Sequence, residues 1–210
     1  MTVVIDPPGY YLWDFAGANG LQAARNLFGN RVSELAPFQS LESSFNAHAC
    51  SVLRLCENNF RVALSRDHEF DLAIEEMNLN VWVRQCNPFQ RPPQKRQATP
   101  ASDRMATLVL SEKLAQACLH YLATTKPIYR LEDLPLHCAV PARLQQKAIL
   151  VWHHPWLGHP RFELHTAQAD VQSIAEAITA EAITVEIASH TLPDTRRGTT
   201  AATRSHHSAL

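Results

Sequence analysis

The residues best suited to chemistry lie on a pair of short β-prone runs near the middle of the second half. His153, Arg161 and His165 stand on runs that alternate apolar and polar residues and flank Pro155-Trp156-Leu157-Gly158-His159-Pro160. Imidazole titrates near neutrality, so two histidines beside an arginine could serve as general base, general acid and electrostatic stabiliser in phosphodiester cleavage without a metal. The same three side chains could instead bind nucleic acid, with Arg161 pairing with phosphate and His153 and His165 stacking or donating.

A second cluster is basic. The stretch 87–104, NPFQRPPQKRQATPASDR, contains Arg91, Lys95 and Arg96 within the densest run of positive charge in the chain. Its prolines remove backbone donors and bias their predecessors away from helix, which predicts an extended linker or exposed loop.

Other constellations are weaker. His48, Cys50 and Cys56 have soft-ligand chemistry, but their spacing is not the short repeated kind that converges on a tetrahedral zinc ion, and no metal is expected. The five cysteines are odd in number and include no CxxC, a pattern of buried thiols in a reducing compartment. Glycine is sparse, and the one close pair, Gly17 and Gly20, lacks the Lys-Ser/Thr of a P-loop and the third glycine of a dinucleotide fingerprint. No cofactor is expected.

The whole chain bounds these possibilities. Over 210 residues, 19 Lys plus Arg face 20 Asp plus Glu, so any nucleic-acid contact must be a local basic patch rather than a property of the whole surface. Hydrophobic residues make up 46%, enough for a substantial core. No apolar run approaches bilayer length and the N-terminus has no signal-peptide pattern, so the expected location is cytoplasmic, with no membrane partner.

The elements that would position these residues divide the chain in four. Residues 1–86 form an α-rich or mixed N-terminal domain, with a helix over Leu21, Arg25 and Phe28 and a second carrying Phe70, Ile74 and Met77. Within it, residues 40–65 read equally as one long amphipathic helix or as a helix followed by a hairpin turning at Glu57-Asn58-Asn59. Residues 87–104 are the basic linker. Residues 105–190 read β-α-β-β-α-β with an insertion at 125–145: strands at 107–110, 148–153, 161–165 and 183–187, and helices after Ser111 and over Val171, Ile174 and Ile178. That is the order of a ferredoxin-like unit, in which two helices cover one face of a four-stranded antiparallel sheet. Residues 191–210 have little to bury and are expected to be a disordered tail. The expected fold class is therefore α+β, a helical or mixed N-terminal half followed by a ferredoxin-like domain.

Pairing Trp152 with Phe162 and Leu150 with Leu164 would gather four large apolar side chains on one face. The opposite face, carrying Ile149, Val151, His153, Arg161, Glu163 and His165, would then be open. This arrangement favours a non-catalytic component that binds RNA or single-stranded DNA, or that belongs to a nucleoprotein assembly. The alternatives are a metal-independent phosphodiesterase or ribonuclease using His153, His165 and Arg161, and a protein–protein adaptor working within a complex. If the second face is instead buried, Glu163 pairs with Arg161 and the histidines are structural.

Overall fold

The computed structural model describes residues 3–5, 7, 9–65, 69–87, 104–125 and 131–191. Its framework is two antiparallel sheets. The first contains β2 (Tyr11–Ala16), β3 (Ser40–Phe45), β4 (His48–Cys56), β5 (Asn59–Leu64) and β6 (Trp82–Gln85), in the order β3-β4-β5-β2-β6. The second contains β1 (Val4–Ile5), β7 (Met105–Leu110), β8 (Ala123–Thr125), β9 (Cys138–Leu144), β10 (Lys147–Trp156) and β11 (His159–Ala167), in the order β1-β7-β11-β10-β9-β8.

Alternation along the strands decides the layering. In β2, Trp13 and Phe15 face α1 (Gly20–Phe28) and α2 (Phe70–Glu76), where they meet Ala23, Ala24, Phe28, Phe70 and Ile74. In the second sheet, Ile149, Val151, Phe162 and Leu164 face α3 (Glu112–Leu122) and α4 (Val171–Thr191), packing with Leu114, Cys118, Ile174 and Ile178. The remaining faces, carrying Tyr10, Leu12, Leu53 and Ala63 on one side and Ala139 and Trp152 on the other, pack on each other. The molecule is thus four layers deep, helices–sheet–sheet–helices.

The two halves repeat one topology. β2-α1-β3-β4-β5-α2-β6 has its counterpart in β7-α3-β9-β10-β11-α4, with β1 taking at the edge of the second sheet the place that β6 takes in the first. The halves meet at a twofold-like bridge between Gln39 and Cys138. There the Ser40 N–H donates to the His137 carbonyl and the Ala139 N–H to the Phe38 carbonyl, both at 2.8 Å. Hairpin turns follow at equal distance: Asn46-Ala47 (φ 49° and 64°) and Gln145-Gln146 (φ 48° and 67°). Paired positive φ values suit two-residue turns whose twist matches that of the strands.

This architecture corrects the expected fold. The N-terminal half is mainly sheet: within residues 40–65 the hairpin expected to turn at Glu57-Asn58-Asn59 is present as β4 and β5, but no helix precedes or spans it, and β3 stands before it instead. The second half is not ferredoxin-like. The segment expected as an insertion holds β9, with β8 ending at its first residue, and residues 183–187, expected as the last strand, continue α4. Ile183, Val185 and Ile187 alternate as a strand would, but the helix begun at Val171 propagates through them, each further residue adding one hydrogen bond. Ser111 caps α3 as its sequence context predicts, accepting from the Leu114 N–H at 3.3 Å. The tail lies outside the described residues from 192 onward, as do 88–103 of the basic stretch.

Gly20 shows how closely α1 seats against the β4–β5 turn. A Cβ there would meet the Asn58 carbonyl oxygen at 1.9 Å. Alanine is the better helix former by about 1 kcal/mol, but a clash with backbone costs about 1–3 kcal/mol. Gly20→Ala is therefore expected to destabilise the fold despite its helix propensity, read as a lower urea midpoint with an unchanged slope.

Candidate functional site: the polar seam between the sheets

The charged side chains of the central strands converge in the seam between the sheets. β2 places Asp14 directly between Arg61 of β5 and Arg84 of β6, a cross-strand row of cation, anion and cation. Arg61 grips Asp14 through two hydrogen bonds, Nε to Oδ1 at 2.7 Å and one Nη to Oδ2 at 2.9 Å, while Arg84 reaches Oδ2 at 3.3 Å. Planar guanidinium against planar carboxylate is the strongest geometry for such a pair.

From the facing sheet, Glu163 receives four groups. Arg161 donates to Oε1, and His154 Nε2 lies 3.0 Å from the same oxygen as a close contact rather than an aligned hydrogen bond. Tyr10 donates its hydroxyl to Oε2 at 2.5 Å. His165 Nε2 lies 3.0 Å from Oε2, and its Nδ1 lies 3.1 Å from an Arg61 nitrogen. Arginine can only donate, so Nδ1 accepts and Nε2–H donates to Glu163: His165 is neutral and both its nitrogens are used. One imidazole therefore joins the Asp14 cluster to the Glu163 cluster across the sheets. His154 Nδ1 lies 3.0 Å from Ser51 Oγ, and that hydroxyl donates to the Pro155 carbonyl. Trp152 Nε1 donates to Ser40 Oγ at 3.0 Å, adding another tie from β10 to β3.

The seam is closed to solvent: Glu163 and His154 are 0% exposed and His165 1%. Burial by itself would raise the Glu163 carboxyl, but His154, Arg161 and the hydrogen bond from His165 hold it well below the usual carboxylate range. Burial, reinforced by the Arg61 charge, lowers the His165 imidazole against the opposing pull of Glu163. Burial would likewise raise Asp14, yet its bonds to Arg61 bring it below its ordinary value. Cys50 and Cys86 are buried thiols pushed up to about 12, a range in which they are not nucleophiles. Among the described residues no group of three or more His, Cys, Asp or Glu side chains could hold a metal ion.

The predicted site residues part company here. Arg161, Glu163 and His165 share the seam, but His153 lies on the other face of the sheet, stacked on Phe162 with ring centroids 4.1 Å apart and hydrogen-bonded to the Leu134 carbonyl at 2.7 Å. The expected acid–base pair of His153 and His165 is therefore not assembled. The reason is register. Leu157-Gly158 makes a two-residue turn, so Trp152 pairs with Glu163 and Leu150 with His165, one residue away from the expected pairing. A slip of one residue turns every side chain of one strand to the opposite face. The face expected to be open to nucleic acid is dismembered by this slip: Ile149, Val151 and His153 turn to the helices, and Arg161, Glu163 and His165 to the other sheet. Arg91, Lys95 and Arg96 lie outside the described residues.

Sequence reasoning missed Tyr10, Asp14 and Arg61. For Asp14 and Arg61 the signal was a single charge inside a mainly apolar strand, YLWDFA and NFRVAL, which marks a buried ion that must find a partner.

No protein-family profile matches the chain, and no curated protein matches it. Solved structures do. The glycine cleavage system aminomethyltransferase T from Bartonella henselae superposes with a TM-score of 0.57 at 14% identity, over 84% of this chain and 45% of that one. The chain thus spans less than half the length of that protein. A chain of the heterotetrameric sarcosine oxidase from Corynebacterium sp. U-96, solved with pyrrole 2-carboxylate, superposes with a TM-score of 0.56 at 11% identity, over 87% of this chain and 85% of that one. The likeness is one of fold. It overturns the ferredoxin-like expectation, and the two neighbours are an aminomethyltransferase and an oxidase chain rather than nucleic-acid-binding proteins. Among the described residues no helix is long and apolar enough to cross a membrane.

Two outcomes follow from the seam. Glu163→Ala would leave the half-buried Arg161 without its carboxylate and the buried Tyr10 hydroxyl and His165 N–H without their acceptor, and a loss of roughly 3–5 kcal/mol in urea unfolding is expected. The pH dependence has a definite sign. A lowered imidazole contributes stability that is full above its ordinary value of 6.5 and is lost as pH falls below it. The lowered Glu163 adds a loss beginning below 4.5. Unfolding free energy should fall between pH 6.5 and 4.5 in the parent and fall less steeply in His165→Gln, which removes the titrating ring.

Proposed function

We propose that this chain is a non-catalytic component of a heteromeric enzyme acting on small amines, with a protein partner rather than a nucleic acid as its binding target. The observation that carries this reading is the superposition over most of both chains with a chain of a heterotetrameric oxidase. The other neighbour supports it from a different direction, because there the same fold is under half of a longer polypeptide. In both settings the fold stands beside further protein. The seam agrees in its chemistry: Glu163, His154 and His165, which elsewhere could act as acid or base, are spent on one another and sealed from substrate. Fold alone does not assign chemistry, so the reaction class is carried over by analogy with the two neighbours.

Native mass spectrometry of the tagged chain, isolated from its own cells at its natural level, tests this. A complex of fixed stoichiometry with one or more other proteins is expected, free of nucleic acid by absorbance ratio. It should oxidise or demethylate N-methylglycine or a related small amine, while the isolated chain has no such activity. A chain recovered only as a monomer or homo-oligomer, or one that turns over the amine alone, would overturn the reading.

A further inference from the structure

The β10–β11 hairpin continues beyond the sheet it belongs to. β11 last pairs with β7 at Phe162 and Leu110, and β10 last pairs with β9 at His153 and Cys138. Past those points, among the described residues, 154–161 pair only with one another and close on the turn Leu157-Gly158. The base of this ribbon is fixed. Trp156 meets Tyr10 edge-on, with ring centroids 5.2 Å apart, and lies under the Arg161 guanidinium, while Ser51 Oγ donates to the Pro155 carbonyl. The tip is thus carried outward on a rigid support, which spares a binding event the cost of ordering it.

The residue at the tip suits neither the turn nor the water around it. Leu157 and Gly158 have φ 51° and 80°, and a turn with two positive φ values favours Asn or Gly at its first position. The other hairpin tips, Asn46-Ala47, Glu57-Asn58 and Gln145-Gln146, are polar or small. Leu157 is also more exposed than any other Leu, Ile or Val among the described residues. The topological repeat supplies the telling comparison. Counted from the Gln39–Cys138 bridge, Leu157 stands where Asn58 stands in the first half. Asn58 is half-buried against Gly20 and accepts from the Leu21 N–H, whereas α3 is capped by its own Ser111. The position is therefore polar where the fold covers it and apolar where the fold leaves it in water, the reverse of the ordinary distribution. Single exposed leucines are commonplace. One that sits in a left-handed turn position, on a projecting ribbon, against the pattern of its own repeat, is not.

We propose that this tip is the anchor by which the chain docks on its protein partner, with Leu157 entering an apolar pocket of that partner and Trp156 at the pocket's mouth. This rests on the heteromeric reading above and names the surface that reading uses. Residues 155–160 include no Asp, Glu, Lys or Arg, so an apolar pocket suits them and a charged groove or a phosphate backbone does not. The prolines exclude strand addition. Pro155 and Pro160 face each other one pair back from a two-residue turn, a non-hydrogen-bonded pair whose N–H positions point outward. Each free edge of the ribbon therefore lacks a donor there, and a further strand cannot be zipped on. Recognition is left to the side chains of the tip, and removing the leucine from water is favourable in itself.

Competition for the partner tests this. Parent and Leu157→Asn chains with different tags are produced together in the protein's own cells, in excess over the partner. Their ratio in the assembled fraction is then compared by mass spectrometry with their ratio overall. The parent should be enriched in the assembly about tenfold, the factor expected for burying one leucine side chain. The thermal midpoint of isolated Leu157→Asn should equal or exceed that of the parent, because Asn-Gly suits the turn better, so the lost binding is not lost folding. Leu157→Met keeps an apolar side chain of similar volume and should restore most of the binding. Ile183→Gln removes an exposed apolar side chain from α4 and should compete as the parent does. Equal incorporation of parent and Leu157→Asn, or an equal deficit in Ile183→Gln, would overturn the proposal and leave the heteromeric reading standing. A lowered midpoint in Leu157→Asn would give the leucine a role in the fold and would overturn it too. Self-association of the chain that is lost in Leu157→Asn would replace the partner with a second copy, and a chain that joins no other protein would overturn both readings.

Discussion

Everything in this fold depends on keeping charge satisfied between two stacked sheets. A carboxylate removed from water costs several kcal/mol even after relaxation, and its partners return that only when geometry is good on all sides. Glu163 meets the condition with Arg161, Tyr10, His154 and His165, and Asp14 with Arg61 and Arg84. Because Arg61 also bonds His165, the two clusters form one network, and neither sheet can slide on the other without exposing an ion to an apolar surface. Apolar faces such as those of Leu53 and Trp152 attract without direction. The directional part of the alignment comes from the network.

The topological repeat makes the origin of this network visible. Counting from the Gln39–Cys138 bridge, Leu53 of β4 corresponds to Trp152 of β10. Their partners on the next strand are Arg61 and Glu163, so those two occupy equivalent places in the two halves. They carry opposite charge. A seam built from identical halves would set like charges at equivalent positions around the pseudo-axis. Cation in one half and anion in the other lets the two halves complement each other, with the neutral imidazole of His165 between them. Aromatic faces complete the cover, since Arg161 lies over the rings of Tyr10 and Trp156, 5.5 and 4.7 Å from their centroids.

Much of the local structure was legible in the sequence and little of the global structure was. α1, α2 and α3, and the strands at 107–110, 148–153 and 161–165, have periodicity and boundary residues of their own, and they stand where these predict. The three strands of residues 40–64 could be read as helix because Leu41, Phe45, Ala49 and Val52 also fall at helical steps, and only pairing with β2 and with one another decides the matter. The seam was hidden for a different reason. Its register depends on whether the β10–β11 loop has an even or odd number of residues. The proline-flanked Pro155–Pro160 stretch looks like a long turn, but only Leu157 and Gly158 are the turn and the prolines pair with each other. A miscount of one residue exchanged a buried face for an exposed one, and carried the functional reading with it. The isolated charges of Asp14 and Arg61 could have warned that the exposed face did not exist.

A protein whose strongest acid–base groups hold its own layers together has little of that chemistry left for a substrate at the same place. Function must then come from what the rigid block presents outward: edges, turns and surface clefts whose charges the fold does not consume. The exposed side chains of Trp82 on the edge strand β6 and Leu157 at the tip of the β10–β11 turn belong to that remainder. Comparison of the two hairpin tips separates these surfaces from mere leftovers. In the first half, Asn58 at the tip lies against Gly20 and offers its side-chain oxygen to the Leu21 N–H at the start of α1, so that tip is consumed within the fold. In the second half, β10 and β11 run past the last pairing with β7 at Leu110, and the tip at Leu157 is 61% exposed. The repeat thus closes one end on itself and leaves the corresponding end of the other half outward, an asymmetry that the packing of a single chain does not require.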